Sequence, residues 1–225
     1  MKSYKILLCT LLLLLALPAA AQDDWQPTGV WPFENQRFMP AEVVTGLVYK
    51  KKTLVPCNIH IGNQTLWYVK DDTLMEALPG TVNRVTFKNG DTYIPVSSNT
   101  FGKIVVEDSV GKVVRVRLID KQRFEEEGRS ASNLGSFTLG GDFGEIGLDL
   151  IGSYIAKPEE EPLPTLDHFF FVYKLEIFPV TDKEVLKRIN PARRKEYKAF
   201  TRSAEILVHN ERSVRKIWQE FFVKY

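Results

Sequence analysis

Cysteine is almost absent from this sequence: Cys9 and Cys57 are the two in 225 residues. Cys9 lies in an apolar N-terminal stretch, so Cys57 has no second thiol in the body of the chain and no disulfide framework holds the fold. A surplus of either charge is also missing, with 30 Lys and Arg against 28 Asp and Glu. Nucleic acids and anionic membrane surfaces both reward excess positive charge, so no nucleic-acid partner is expected. Beyond residue 21 no apolar run approaches the roughly 20 residues of a spanning helix, and nothing there is expected to cross a bilayer.

Catalytic signatures are missing too. There is no G-x-S-x-G elbow, no phosphate-binding loop and no dinucleotide fingerprint. The three histidines, His60, His168 and His209, fall in no H-x-x-x-H or H-E-x-x-H spacing, and neither a metal nor a cofactor is assigned. Asp71-Asp72 and the run Glu125-Glu126-Glu127 supply adjacent carboxylates. Glycoside cleavage, however, needs two acids about 5 to 10 Å apart across a bond, and neighbours at a turn are more simply solvated. Gly140-Gly141-Asp142-Phe143-Gly144 with Asp149 resembles one copy of a calcium-binding Gly/Asp repeat, which works only when copies stack; a loop is expected instead. Asn63-Gln64-Thr65 matches a glycosylation sequon, as any Asn-x-Thr does. Cys57, among Leu54, Val55, Ile59 and Ile61, reads as a buried strand residue. No catalytic residue is assigned.

What is present begins with a leader. Lys2 and Lys5 precede an apolar stretch from Ile6 to Leu17, then Pro18 and the small residues Ala19 and Ala21. That order is a cleavable secretory signal peptide over residues 1–21, and it predicts a periplasmic or secreted protein. Its removal takes two lysines and leaves 28 basic residues against 28 acidic ones. Residues 22–42 read as an extended arm, with Pro27, Pro32 and Pro40 spacing Trp25, Trp31 and Phe33, the aromatics docking on the body.

From residue 43 to 178 the pattern is β-rich. Strands are predicted at Val43–Tyr49, Val55–Ile61, Thr65–Val69, Thr73–Leu78, Val82–Phe87, Thr92–Val96, Lys103–Glu107 and Val113–Ile119, broken by Gly and Pro turns. Asn89-Gly90 predicts a type I′ hairpin, and Asp108-Ser109-Val110-Gly111 a second hairpin turn. In the strand that follows, Val114, Val116 and Leu118 share one face, while Arg115 and Arg117 take the other, read as solvated. Residues 125–168 are Gly-rich, then acidic and Pro-rich, with irregular strands expected near Phe137–Leu139 and Ile146–Ile155. Phe169–Phe178 reads as one strand. In the tail, residues 179–225, Thr181 with Glu184 forms a capping box. Asn190-Pro191 and then Asn210 open further helices, the last carrying Val214, Ile217, Trp218, Phe221 and Phe222 on one face.

These features predict an α+β protein: an antiparallel β-sandwich or open barrel followed by two or three short C-terminal helices packed on the sheet. The function that fits best is a non-enzymatic exported envelope or periplasmic binding or interaction protein, with an envelope protein or a glycan as partner. An alternative is a carbohydrate-binding module in which Trp31, Trp67, Tyr68 and Tyr93 stack on sugar rings. A second is a glycan hydrolase with carboxylates assembled by the fold.

Val44-Thr45-Gly46-Leu47-Val48, Thr65-Leu66-Trp67-Tyr68, and Val82-Asn83-Arg84-Val85-Thr86-Phe87 followed by Asn89-Gly90-Asp91-Thr92-Tyr93, together with the tail from Asp182 to Tyr225, resemble uncharacterised exported proteins of Bacteroidota. Those join a signal peptide, a β-rich body and a short helical C-terminal segment. The resemblance implies a cell-envelope setting in a diderm bacterium, and it brings no catalytic residues.

Overall fold

The computed structural model describes residues 33–46, 49–62, 64–71, 73–126, 164–202 and 206–224. The leader, Trp25, Trp31, the Gly-rich segment with its two expected strands and calcium-like motif, and the acidic Pro-rich connector through residue 163 lie outside them.

Ten strands form one antiparallel sheet: β1 (Met39–Thr45), β2 (Lys51–Ile59), β3 (Leu66–Lys70), β4 (Thr73–Glu76), β5 (Val82–Phe87), β6 (Thr92–Pro95), β7 (Phe101–Glu107), β8 (Gly111–Ile119), β9 (Thr165–Tyr173) and β10 (Glu176–Pro179). Their spatial order is β10-β9-β8-β7-β6-β5-β1-β2-β3-β4, with β10 and β4 as unjoined edges. Helix α1 (Lys121–Glu126) follows β8; α2 (Asp182–Arg188), a 3-10 turn at Pro191–Arg193, α3 (Arg194–Thr201) and α4 (Glu211–Trp218) follow β10, and a π-turn at Gln219–Val223 prolongs α4. No helix among the described residues is long and apolar enough to cross a membrane.

Side chains alternate between the two faces of a sheet, and the register follows one face across seven strands. Thr53 pairs with Val43, Val43 with Val85, Val85 with Tyr93, Tyr93 with Lys103, Lys103 with Arg115 and Arg115 with Phe169. This face is folded inward. In a flat sheet, strands about 4.8 Å apart would hold β3 far from β7. Yet the Phe101 N–H of β7 donates to the Gln64 carbonyl in the β2–β3 turn at 3.0 Å, and the Gln64 amide donates to the Arg117 carbonyl of β8. The sheet therefore curls until the β2–β3 turn touches β7 and β8.

At the β8–β10 end the inward face is covered by the helical tail. Val113, Phe171 and Phe178 pack with Val185, Tyr197, Val214, Ile217, Trp218 and Phe222 into one core. The stripe expected on the last helix lies wholly in that core, with Val214, Ile217 and Trp218 each 0% exposed. The caps that the sequence signals form: the Thr181 hydroxyl accepts from the Glu184 N–H, and the Asn210 side chain accepts from the Ser213 N–H. Trp218 also donates through Nε1 to the Asp108 carboxylate at 2.8 Å. The other oxygen of Asp108 accepts from the N–H groups of Val110 and Gly111, so one carboxylate joins the β7–β8 turn to the tail.

Several expectations change. Phe169–Phe178 is a hairpin rather than one strand, because Lys174 and Leu175 take positive φ of 49° and 68° and reverse the chain. The β5–β6 connection is a hairpin, but only Gly90 has positive φ there. With Gly90 N–H bonded to the Phe87 carbonyl, it is the three-residue type I turn with a left-handed Gly, not type I′. Strand β1 starts four residues early at Met39 and stops at Thr45, and β2 begins at Lys51. Residues 121–126 form a helix that the acidic run did not signal.

Gly111 is where the tail meets the sheet most closely. A Cβ there would lie 2.0 Å from the Val172 carbonyl oxygen and 3.0 Å from the Trp218 ring. Overpacking of this kind costs about 1–3 kcal/mol. Gly111→Ala is expected to lower the unfolding free energy by that amount, read as a lower urea midpoint at unchanged m-value; an unchanged midpoint would mean that β9 and the tail do not press on this turn.

Candidate functional site

Two features occupy the part of the inward face that the helices leave uncovered. The first is a row of charges. Arg115 reaches Glu34 at 3.1 Å, Asp167 at 3.9 Å and Glu211 at 3.7 Å. Arg117 reaches Glu34 at 3.5 Å and Asp167 at 3.1 Å. The side chains of Glu34 and Arg115 are only 8% and 14% exposed. The arginine face of β8 is thus an interior ionic seam and not the solvated surface expected from its alternation. It is the apolar alternate, Val114 and Val116, that lies on the opposite face of the sheet, and this too is buried, at 0% and 2% exposed. Each cation in the seam has carboxylate partners, although the buried Arg115 Nε lies 3.9 Å from Asp167 and makes no hydrogen bond, and the row ties the arm, β8, β9 and α4 together.

The arm is seated by the other face. Phe33 bridges His60, and Phe33, Phe38 and Val69 share a core with Trp67 and Leu74. The buried Asn58 side chain donates to the carbonyls of Asn35 and Arg37 at 2.8 and 3.1 Å and accepts from the Asn35 N–H. Those bonds, with the Glu34 N–H on the Ile59 carbonyl at 2.8 Å, hold residues 33–38 against β2 and leave the Glu34 side chain with the arginines.

The second feature is a cleft of about 460 Å³. Its floor is β1–β3, through Val43, Thr45, Thr53, Val55, Leu66 and Tyr68. Its other wall is the connection from β4 to β5, in which Ala77, Leu78 and Thr81 cross over the inward face. That crossing is fixed by the Ala77 N–H on the Leu66 carbonyl at 2.8 Å and the Gly80 N–H on the Ser98 carbonyl at 3.0 Å. Leu78 stands at the mouth, 74% exposed. Of the lining residues only Tyr68 and Lys70 are ionisable, so among the described residues no carboxylate, imidazole or thiol faces the space. Cys57, in the wall behind, is fully buried, and burial pushes its thiol up to about 12, which keeps it out of nucleophilic chemistry.

The structure separates the aromatic residues that the sequence nominated for stacking. Trp31 lies outside the described residues. Trp67 and Tyr68 are consecutive on β3 and face opposite ways: Trp67 stacks on His60 with centroids 5.1 Å apart, meets Phe33 edge-on and donates Nε1–H to the Thr65 hydroxyl at 2.9 Å. Tyr68 lines the cleft. Tyr93 is 3% exposed and packed edge-on against Phe87; burial first, then the negative charges of Glu34 and Asp91, raise its pKa. It has no ring face free for a sugar. The cleft itself escaped the sequence, because it forms only where the β4–β5 connection passes over the strands.

His168 and His209 meet edge-on, centroids 5.2 Å apart, and with Thr100, Leu118, Val180 and Val208 they line a smaller cavity of about 260 Å³. Among the described residues no group of three His, Cys, Asp or Glu side chains is placed to hold a metal ion. Burial, followed by the charge of His209, holds His168 below its ordinary value of 6.5 against the pull of Asp167.

The chain matches no family model, no curated protein and no solved structure.

Two measurements check this geometry. Removing a carboxylate from a buried network costs more than removing one from an exposed pair, which contributes about 0.2–1 kcal/mol, and less than the roughly 3–5 kcal/mol of a fully stranded charge, since Asp167 and Glu211 stay beside the arginines. Glu34→Gln is therefore expected to destabilise far more than Glu42→Gln, whose partner Lys52 is 67% exposed, as read by urea denaturation; equal effects would show the seam to be superficial. The second concerns pH. Because His168 titrates lower folded than unfolded, the unfolded state takes up its proton first, and stability falls as pH drops below about 6.5. His168→Gln is expected to flatten that limb of melting temperature against pH between 6.5 and 5; an unchanged slope would assign it to other groups.

Proposed function

We propose that the chain is an exported, non-enzymatic binding protein of the bacterial envelope, and that its ligand seat is the apolar cleft between β1–β3 and the β4–β5 connection. One observation carries the reading: the cleft is preformed, opens to solvent beside the exposed Leu78, and has the size of small-molecule sites, roughly 300–1,000 Å³, with no acid–base pair among the described residues that line it. Burying Leu78 would stabilise the bound state by about 1.5–3 kcal/mol, so an apolar occupant gains from it. The leader supports the envelope setting, through the order of its charged, apolar and small-residue regions. The carboxylates that come together in the seam, Glu34 and Asp167, are each held by arginines, which gives a glycan hydrolase no free acid.

A neutral environment-sensitive dye, N-phenyl-1-naphthylamine, tests the seat. The full chain, expressed with its leader and purified from the exported fraction, is expected to enhance the dye's emission saturably at one site. Thr53→Trp, which places an indole in the cleft from the floor, is expected to abolish the enhancement with melting temperature kept within a few degrees. Absence of saturable binding to the parent, or a Thr53→Trp variant that binds as before, would overturn the proposal.

A further inference from the structure

We infer that the cleft takes a single-chain anionic amphiphile, an acyl tail in the apolar space with its carboxylate or phosphate head at a lysine rim; this rests on the cleft being the ligand seat. The rim is formed by Lys70 and Lys51. Lys70 lines the cleft directly. Lys51 pairs with the lining residue Thr45 and lies two positions before Thr53 on β2, which places it on the same face. Both lysines are exposed.

Among the described residues, neither lysine is drawn into the ion pairs that engage other strong cations of the sheet and tail. Arg115, Arg117, Arg188, Arg193 and Arg215 each reach a carboxylate. Lys52, next to Lys51 but on the opposite face, pairs with Glu42 at 3.0 Å. Lys51 and Lys70 have no ion pair among the described residues. The neighbouring acid, Asp71 in the β3–β4 turn, uses its backbone carbonyl to accept from Thr73 and engages neither lysine. With no carboxylate among the described residues of the walls, a tail-first ligand meets no repulsion from them on entry, and its head arrives where two lysines without an ion pair among the described residues stand at the edge of a low-dielectric space. A neutral tail would leave them unused, and a cationic head would be repelled.

Three ligands with the same ten-carbon tail separate head from tail: decanoate, decanol and decyltrimethylammonium, each below its micellar concentration, competing for the naphthylamine dye. Decanoate is expected to bind about tenfold more tightly than decanol, the size that two solvent-facing ion pairs support, with the ammonium ligand weakest. The advantage should shrink from 20 to 500 mM salt, because exposed charges are screened. In the double variant Lys51→Glu/Lys70→Glu, decanoate affinity is expected to fall to or below that of decanol, with decanol unchanged and the dye still bound. Equal affinity of decanoate and decanol in the parent, or a decanoate advantage that survives the double variant, would overturn the inference while leaving the cleft reading intact. Failure of all three to displace the dye, or failure of the dye to bind, would remove the cleft reading itself. Binding to phosphatidylglycerol vesicles with the same lysine dependence would overturn the single-chain reading in favour of a two-chain membrane lipid; binding of free decanoate without vesicle binding would support it.

Discussion

The rest of the structure depends on the contact that curls the sheet. Gln64, in the β2–β3 turn, is 2% exposed and takes a positive φ of 58°, a left-handed conformation that disfavours most side chains. It is held there by its own N–H on the His60 carbonyl at 2.8 Å and by its side-chain amide on the Ile61 carbonyl at 2.8 Å. From that fixed turn its carbonyl accepts from Phe101 and its amide reaches Arg117. Ten strands spread flat would expose two apolar faces. Bending one face inward gives it a core without a second sheet, and the bend makes both the ionic seam and the cleft.

Along the inward face the chemistry changes in three steps. At β8–β10 the face is aromatic and closed by the tail, where Phe171, Trp218 and Phe222 pack ring on ring. At its middle are Arg115, Arg117 and Lys103, the last paired with Asp91 at 2.7 Å. Toward β1–β3 it is apolar again, around Val43, Val85, Leu66 and Tyr93. Buried ion pairs seldom add net stability over a well-packed apolar alternative. Their effect here is positional: Arg115 alone joins the arm through Glu34, β9 through Asp167 and the last helix through Glu211. Segments far apart in sequence are set relative to one another by a geometry that few other side-chain arrangements would satisfy.

Local signals in the sequence carried far into the structure. Val82–Phe87 forms at its predicted bounds, and the caps at Thr181 and Asn210 act as their residue types require. These depend on hydrogen bonds within a few residues, which local composition encodes. Long-range placement was less legible. The alternation of Val114, Val116 and Leu118 with Arg115 and Arg117 is the same whether the arginines meet water or carboxylates from Glu34 and Asp167, residues on other segments. Tyr93 looked as suitable for stacking as Tyr68 for the same reason: burial is decided by the β1–β5–β6 pairing, which a strand's own sequence does not state. The cleft is further removed, since it exists only once the β4–β5 connection crosses three strands.

The open cleft and the closed helical end are two outcomes of one problem, the inward face of a curled sheet that needs cover. At β8–β10 the chain supplies it, with Val214, Ile217, Trp218 and Phe222 spaced to fall on one side of α4 and its extension. At β1–β3 it supplies only the narrow span Ala77–Thr81, whose largest apolar side chain, Leu78, points into solvent. The adjoining edge strand β4 has four residues and a single neighbour, so little of the global stability is stored in it and it opens more easily than the core strands. Any occupant of the cleft contacts β3 and the β4–β5 connection together. Its binding energy therefore accrues to the least secured part of the sheet, and filling the cleft there would complete the cover that the helices complete at the other end.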